Sequence, residues 1–184
     1  MDAIELMVFE HENIKRMLKV VRAMCIKVLN NNDINFEDFH NAIGFVRNYA
    51  DKLHHAKEED ILFEKMGEEL GDRISKGPIA GMLVEHDFGR LYMTNLETAL
   101  QAFKGGDKDA RVDIIANAIA YTDLLNRHID KENTAIYTFA RRSLSNETME
   151  TVENQCKEAE STAEKNGVQK KYLSILEELE KKYI

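Results

Sequence analysis

Two stretches of the sequence pair a histidine with a glutamate four residues later. One pair is His54 and Glu58, in the run HHAKEEDILF, and the other is His128 and Glu132, in the run RHIDKEN. Residues i and i+4 lie one above the other on the same face of an α-helix. Each pair can therefore direct an imidazole nitrogen and a carboxylate oxygen at one point, as the ligands of metal ions do in helical bundles.

Two further histidines stand in apolar helical patterns. His11 lies in the stripe that residues 4–28 form at spacings of three and four, and His86 lies in the stripe of residues 79–103. A single histidine in such a stripe is more often an ordinary core residue than a metal ligand, and a single His–Glu pair on a helix is more often exposed. The interpretation therefore depends on whether all six side chains meet.

The apolar periodicity predicts an all-α protein. Asparagines, glycines and one proline interrupt it at residues 30–33, 67–78 and 104–107. We expect four long helices, from about Asp2 to Leu29, Asn35 or Phe36 to Met66, Pro78 to Phe103 and Asp109 to Arg141. Short connections between long helices are typical of an up-down-up-down four-helix bundle, here residues 1–143. Residues 144–184 are expected to form a C-terminal helical extension of two shorter helices, with a break near 166–167.

In such a bundle the four histidines come to the same end. His11 and His86 lie near the starts of their helices, whereas His54 and His128 lie near the ends of theirs. Each is about 8 to 13 residues from that end, which is about 12 to 20 Å at the helical rise. We therefore predict one layer that contains His11, His54, His86 and His128, with Glu58 and Glu132 one turn away.

The helix phase assigns roles to the neighbouring residues. At about 100° per residue, His54 and Glu58 lie at the edge of the apolar stripe, and His55 and Glu59 lie nearly opposite. We expect His55 and Glu59 to form an exposed pair, although an error of one residue in the phase would exchange the two pairs. His40, in the first turn of the same helix, is expected to be solvated.

Tyr121 lies two turns before His128 on the same stripe. Its hydroxyl would face the core and would need a hydrogen-bond partner there. We expect Tyr121 near the metal layer as a hydrogen-bond donor, with ordinary packing as the alternative.

The composition of the layer indicates which metal it would hold. Buried carboxylates are costly unless they are paired or bound to a cation, and two metal ions would supply the positive charge that neutral imidazoles lack. Four histidines and two carboxylates are too many ligands for one tetrahedral zinc. They suit two ions of coordination number five or six, bridged by the carboxylates. A mixed nitrogen and oxygen set favours iron, with manganese as a competitor and zinc less favoured.

With these residues the chain resembles the hemerythrin-like, or HHE cation-binding, family over about residues 1–141. The resemblance rests on Glu10-His11-Glu12, on residues 54–63, on residues 85–90 and on residues 127–133. It implies a di-iron centre with an oxo or hydroxo bridge, in which Glu58 and Glu132 bridge the irons. It also implies binding of O2, NO or peroxide or, in the branch that repairs iron–sulfur clusters, donation of iron.

The sequence departs from the oxygen-carrying members of that family at Arg90. Those proteins have a second histidine four residues after the ligand of the third helix. Here the corresponding ligand is His86, and the residue four positions later is Arg90. The five-histidine set becomes a four-histidine set, which resembles the repair branch and other prokaryotic relatives. We expect Arg90 beside the metal ligands rather than among them.

Charge and cysteine content limit the partners and the compartment. A formal net charge of −8 argues against a nucleic-acid partner, which would need a basic stripe. The longest apolar runs are far shorter than the roughly 20 residues that span a bilayer, so we expect no membrane partner. Two cysteines that are far apart and form no motif fit a reducing compartment, and we expect a cytoplasmic protein.

The function that the sequence favours is binding or reduction of a small oxidant, O2, NO or peroxide, in sensing or stress defence. The alternative is an iron-donating or regulatory module without turnover. The C-terminal helices would then offer a partner surface or a homodimer contact. The sequence singles out no catalytic residue, and whether the protein is an enzyme stays open.

Overall fold

The computed structural model describes residues 1–31 and 34–184, and all regular structure within these ranges is helical. The prediction of an all-α protein is confirmed. In the described ranges, no helix combines the length and the apolar character needed to cross a bilayer. The helices are α1 (Ala3–Asn31), α2 (residues 36–70), α3 (residues 72–104), α4 (residues 110–143), α5 (Asn146–Lys165) and α6 (Val168–Tyr183).

The helix boundaries follow local capping and turn chemistry. The Asn35 side chain caps α2 by accepting a hydrogen bond of 3.1 Å from the backbone N–H of Asp38, as its sequence position predicts. Gly71, at φ +79°, is the single break between α2 and α3, so the predicted connection over residues 67–77 is shorter than expected. Gly167, at φ +68°, separates α5 from α6. Of the predicted break after α1, Asn32 and Asp33 lie outside the described residues.

Three of the helices contain segments of π-helix, which the 3.6-residue periodicity did not predict. In these segments a backbone N–H bonds to the carbonyl five residues earlier, as Ala56 does to Asp51. Each turn takes in an extra residue, so successive side chains rotate by less than about 100° around the axis. The segments are Val46–His55 and Glu58–Phe63 in α2, Ser75–Ile79 in α3 and Glu132–Ile136 in α4.

Contacts between side chains on different helices show how neighbouring helices run. As the residue number rises along one helix, the number of its partner falls along the next, for α2 with α3, α3 with α4 and α1 with α4. These pairs of helices are therefore antiparallel. The contacts are Arg47–Glu97, Asp51–Arg90 and Glu59–His86; Glu85–His128 and Gly89–Leu125; and His11–Asn133 and Lys15–Asp130.

The apolar core consists of two clusters with a polar layer between them. The larger cluster contains residues 14–28 of α1, and the smaller contains residues 3–7 of the same helix. On each of the first four helices, the chain between the two clusters carries buried histidine or glutamate. Among the described residues, these buried histidines and glutamates are Glu10, His11, His54, His55, Glu58, His86, His128 and Glu132.

The two C-terminal helices pack against both clusters. Val152 and Cys156 of α5 belong to the smaller cluster, whereas Ala163 of α5 and Leu176 of α6 belong to the larger one. Helix α5 therefore runs across the edge of the polar layer. This packing makes residues 144–184 part of the same core as the rest of the chain.

Replacement of Leu176 with alanine tests that integration. Leu176 is fully buried, so Leu176→Ala should lower the free energy of unfolding by about 2–5 kcal/mol. Leu29→Ala is the matched control, because Leu29 is 67% exposed and its loss should change that free energy by no more than about 0.5 kcal/mol. Both variants are compared with the parent by denaturant unfolding followed by circular dichroism, in the same metal state. Equal losses from the two variants would contradict a shared core.

Candidate metal centre

Seven buried side chains of the polar layer have possible metal-ligating atoms that gather in two groups. Within each group the ligand atoms all lie within 4.8 Å of one another. Glu58 belongs to both groups, so its carboxylate lies between them. All six side chains that the sequence pointed to are brought together, and His55 joins them. One group is His55, Glu58, His86 and His128, and the other is His11, His54, Glu58 and Glu132.

Both glutamates face histidines of both groups. Glu58 Oε2 lies 3.5 Å from His54 Nε2 and 3.6 Å from His86 Nε2. One oxygen of Glu132 lies 3.3 Å from His11 Nε2, and the other lies 2.9 Å from His128 Nε2. A carboxylate placed in this way can bridge two cations.

The outer nitrogen of each of four histidines meets an oxygen acceptor. Carboxylate and amide oxygens can only accept hydrogen bonds, so each Nδ1 donates and each Nε2 turns a lone pair toward the centre. This arrangement fixes both the tautomer and the direction of the ring. The Nδ1 contacts are His11 to Asn133 at 2.8 Å, His54 to Glu10 at 2.8 Å, His86 to Glu59 at 2.6 Å and His128 to Glu85 at 2.9 Å.

The inward atoms lack hydrogen-bond partners. Among the residues described, the buried atoms without one include Nε2 of His11 and His54, Oε2 of Glu58 and both carboxylate oxygens of Glu132. Native structures rarely leave such atoms unpaired, because desolvation without a partner is costly. In addition, Nε2 of His86 and Nε2 of His128 lie 2.8 Å apart. Two lone pairs at that distance repel unless a cation or proton lies between them, so the donor set fits metal ions.

Burial sets the protonation of these side chains. It lowers the pKa of His54 and of His55 well below the ordinary value, and the neighbouring imidazoles His11 and His86 lower it further. Both rings are therefore neutral, which is the form that binds a metal. Burial and the nearby carboxylate of Glu132 raise the pKa of Glu58. A cation between the two carboxylates would remove that repulsion.

His55 corrects the sequence prediction of an exposed pair. Its side chain is only 5% exposed, and its ring stacks on that of His86 with centroids 3.9 Å apart. Glu59 is half-buried and accepts the hydrogen bond from His86 Nδ1. The reason is the π-helical segment Val46–His55, where the smaller rotation per residue accumulates along the segment and brings both adjacent histidines within the inward-facing arc. His40, in contrast, is exposed as predicted.

Tyr137 is a site residue that the periodicity missed. Its hydroxyl donates a hydrogen bond to Oε1 of Glu58, and its ring stacks on that of His11 with centroids 5.5 Å apart. It follows Glu132 by five residues, which a regular α-helix would place on a different face. The π-helical segment Glu132–Ile136 closes an N–H to carbonyl bond over those five residues and turns Tyr137 inward.

The outer acceptors Glu10 and Glu85 were also missed, although the sequence carries a sign of them. Each immediately precedes a ligand histidine, in Glu10-His11 and Glu85-His86, and each serves a histidine of another helix. The repeated Glu-His pair could have suggested that role. Which distant histidine each glutamate meets depends on how the helices pack.

Arg90 contacts the partners of two histidines rather than the histidines themselves. Its guanidinium donates to Asp51 at 2.9 Å and to Glu59 at 2.6 Å. Asp51 Oδ1 lies 3.5 Å from Nδ1 of His55. Although burial alone would raise it, His55 and Arg90 hold the pKa of Asp51 at about 2. Arg90 thus fixes the acidic side chains that face His55 and His86.

A cavity of about 220 Å³ adjoins the layer on the side of His55 and His86. Val46 and Met93 give it apolar walls, and Arg90 also lines it. Tyr121, which is 1% exposed, lines the same cavity, and its buried hydroxyl has no hydrogen-bond partner within the described chain. A small ligand in this cavity would therefore lie beside His55 and His86 and beside one unpaired donor, the Tyr121 hydroxyl.

Comparison with known proteins places this geometry in a family. The family model for the hemerythrin HHE cation binding domain matches residues 2–140. No curated protein and no solved structure matches the chain. The matched residues include all seven side chains of the two groups and end before α5. The chain therefore belongs to the hemerythrin HHE cation-binding domain family.

Proposed function

We propose that the protein holds two iron ions and binds or reduces a small oxidant, O2, NO or peroxide, in sensing or stress defence. The observation that carries the proposal is the pair of ligand groups that share Glu58, with their inward lone pairs unsatisfied. A buried set of imidazoles and carboxylates matches the ligand preference of iron better than that of magnesium or calcium, which prefer oxygen alone.

The fold that we propose to carry this centre is an up-down-up-down bundle of residues 1–143, with residues 144–184 as a helical extension. The antiparallel contacts of α2 with α3, α3 with α4 and α1 with α4 support it. The bundle supplies ligands from four helices to one layer. Since α5 and α6 bury apolar residues against the bundle, a homodimer through them would use their remaining faces.

We assign His55, His86 and His128 to one ion and His11 and His54 to the other, with Glu58 and Glu132 between them. The sequence prediction had four histidines, because Arg90 replaces the expected fifth. In this assignment His55 provides the fifth imidazole from α2 instead of α3. Support comes from its burial and from its ring, which stacks on His86.

Iron bound here would supply redox electrons and a coordination position for the oxidant. The protein's own side chains do the positioning. Oxygen acceptors hold the imidazole rings, and the Tyr137 hydroxyl holds one oxygen of Glu58. The two apolar clusters on either side keep bulk water away from the layer.

The oxidant would approach through the cavity beside His55 and His86. Its volume of about 220 Å³ exceeds the roughly 30 Å³ that one water molecule occupies in the liquid, so a diatomic molecule or a peroxide fits with room to spare. Tyr121 can donate a hydrogen bond to an oxidant in this cavity, since its hydroxyl has no protein acceptor in the described chain. Arg90 lines the same wall, where Asp51 and Glu59 compensate its charge.

We also propose a cytoplasmic location without nucleic-acid partners. Both cysteines are buried free thiols, and burial raises the pKa of Cys25 and of Cys156 to about 11. Such thiols are inert structural residues that a reducing compartment preserves. The net charge of −8 would repel phosphate backbones.

The function is tested with protein from iron-supplemented cells. Metal analysis should give two irons per chain, and the anaerobically reduced protein should consume O2, NO or peroxide in stopped-flow absorbance measurements. Protein that holds zinc and reacts with none of the three would refute the oxidant function. Iron-loaded protein that does not react but transfers iron to an acceptor would support the donor alternative instead.

The role of His55 is tested by counting metals. His55→Ala and His54→Ala should each remove about one iron per chain, because each deletes an imidazole from a different group. His40→Ala is the control, since His40 is exposed and lies away from the layer, and it should keep two irons. If His55→Ala also keeps two irons of unchanged affinity, the four-histidine set predicted from the sequence would be restored.

The Tyr121 hydroxyl is tested with Tyr121→Phe. Removal of a buried, unpaired hydroxyl should leave the free energy of unfolding unchanged or raise it. The rate of reaction of the reduced protein with peroxide should fall about three- to tenfold, as expected for one lost hydrogen bond.

Tyr92→Phe is the matched control, because Tyr92 is only partly buried and does not line the cavity. An unchanged rate in Tyr121→Phe would leave that tyrosine a packing role only.

A further inference from the structure

Lys57 is a buried lysine whose ammonium lies between carboxylates of two other helices. Its side chain is 1% exposed, one position before the shared ligand Glu58. It donates hydrogen bonds to Glu10 of α1 and to Glu160 of α5. A buried ammonium is costly unless it is paired, so both carboxylates contribute to its stability.

Glu10 connects this lysine to the metal layer. Its Oε1 accepts from Lys57, and its Oε2 accepts from Nδ1 of His54 at 2.8 Å. Glu160 is held in turn, since its Oε2 accepts from Gln169 Nε2 at 3.0 Å. A continuous chain of hydrogen bonds therefore runs from the start of α6, through α5, to a histidine ligand of the centre.

We infer that Glu160 is a positioning residue for the metal centre, which it serves through Lys57, Glu10 and His54. This inference rests on the proposed di-iron function. Glu160 acts at a distance, because it holds the same Lys57 ammonium that donates to Glu10. The ammonium then keeps the Glu10 carboxylate in the orientation that directs the His54 ring.

The space around Lys57 explains why a second partner is needed. A cavity of about 430 Å³ lies beside this contact between α2 and α5 and is lined in part by Lys57, Asp60 and Glu158. Without Glu160 the flexible lysine stem has room to turn toward this cavity and toward other acidic side chains. Glu10 would then lose its buried counter-charge and could rotate away from His54.

The position of Glu160 is set by packing outside the family domain. The family match ends at residue 140, and α5 begins at Asn146. Val152 and Cys156 fix α5 on one side of the polar layer, and Ala163 fixes it on the other. The C-terminal helices thus contribute a side chain to the support of a centre whose ligands all lie within the matched domain.

The test compares Glu160→Gln with Glu164→Gln, a matched control that removes the same charge from an exposed position one turn later on α5. In metal-free protein, the Nδ1–H resonance of His54 in imidazole nitrogen–proton spectra should shift in Glu160→Gln and stay in place in the control. In iron-loaded protein, competition with a chelator should show affinity about three- to tenfold lower in Glu160→Gln. That loss is smaller than the tenfold to hundredfold typical of a direct partner of a ligand.

A double substitution identifies the route. In a Glu10→Gln background the relay is already broken at its contact with His54, so Glu160→Gln should cause no further loss of iron affinity. Glu160→Asp should recover part of the affinity, because the charge is restored.

The outcomes separate this inference from the function on which it rests. Parent protein that holds no iron would overturn both. Parent protein with two irons, together with a Glu160→Gln variant that matches the Glu164→Gln control in resonance and affinity, would overturn the inference alone. Equal losses from Glu160→Gln in the parent and in the Glu10→Gln background would also overturn it.

Discussion

The structure depends on how two carboxylates and five imidazoles are accommodated inside an apolar core. Glu58 and Glu132 are fully buried, and their oxygens lie 2.9 to 3.7 Å from Nε2 atoms of the surrounding histidines. These oxygens are buried from bulk water, and hydrogen bonds from the described residues satisfy them only in part. Cations bound between these side chains would balance the layer, which is the need that the donor set meets.

The surrounding helices are adapted to this layer. Regular α-helices would present one side chain per turn to the centre, whereas the π-helical segments of α2 and α4 present more. Adjacent histidines of α2 therefore both reach the site, and Tyr137 reaches Glu58. A second set of side chains, mostly acidic, holds the outer nitrogens of the rings. Most of the polar residues near the layer are thus explained by one need, which is to keep Nε2 lone pairs directed inward.

The sequence predicted the features that depend on local spacing. Helix positions, the Asn35 cap and the break near Gly167 follow from periodicity and turn chemistry, and the i, i+4 spacing located both His–Glu pairs. The exposure of His55 was predicted wrongly because a π-helical segment cannot be recognised from a 3.6-residue pattern. The links from Glu10 to His54 and from Glu160 to Lys57 could not be predicted, since they join residues 44 and 103 positions apart in the chain.

The antiparallel contact between α1 and α4 has a consequence for the order of assembly. His54 and Glu58 are one turn apart, so this pair can form as soon as its helix does. His11, however, takes its orientation from Asn133, which is 122 positions away. Closing a loop of that length carries a large entropic cost, which only a nearly complete bundle repays. We therefore expect the His–Glu pairs within single helices to form early, and the complete set of inward side chains to form only when the first and fourth helices meet.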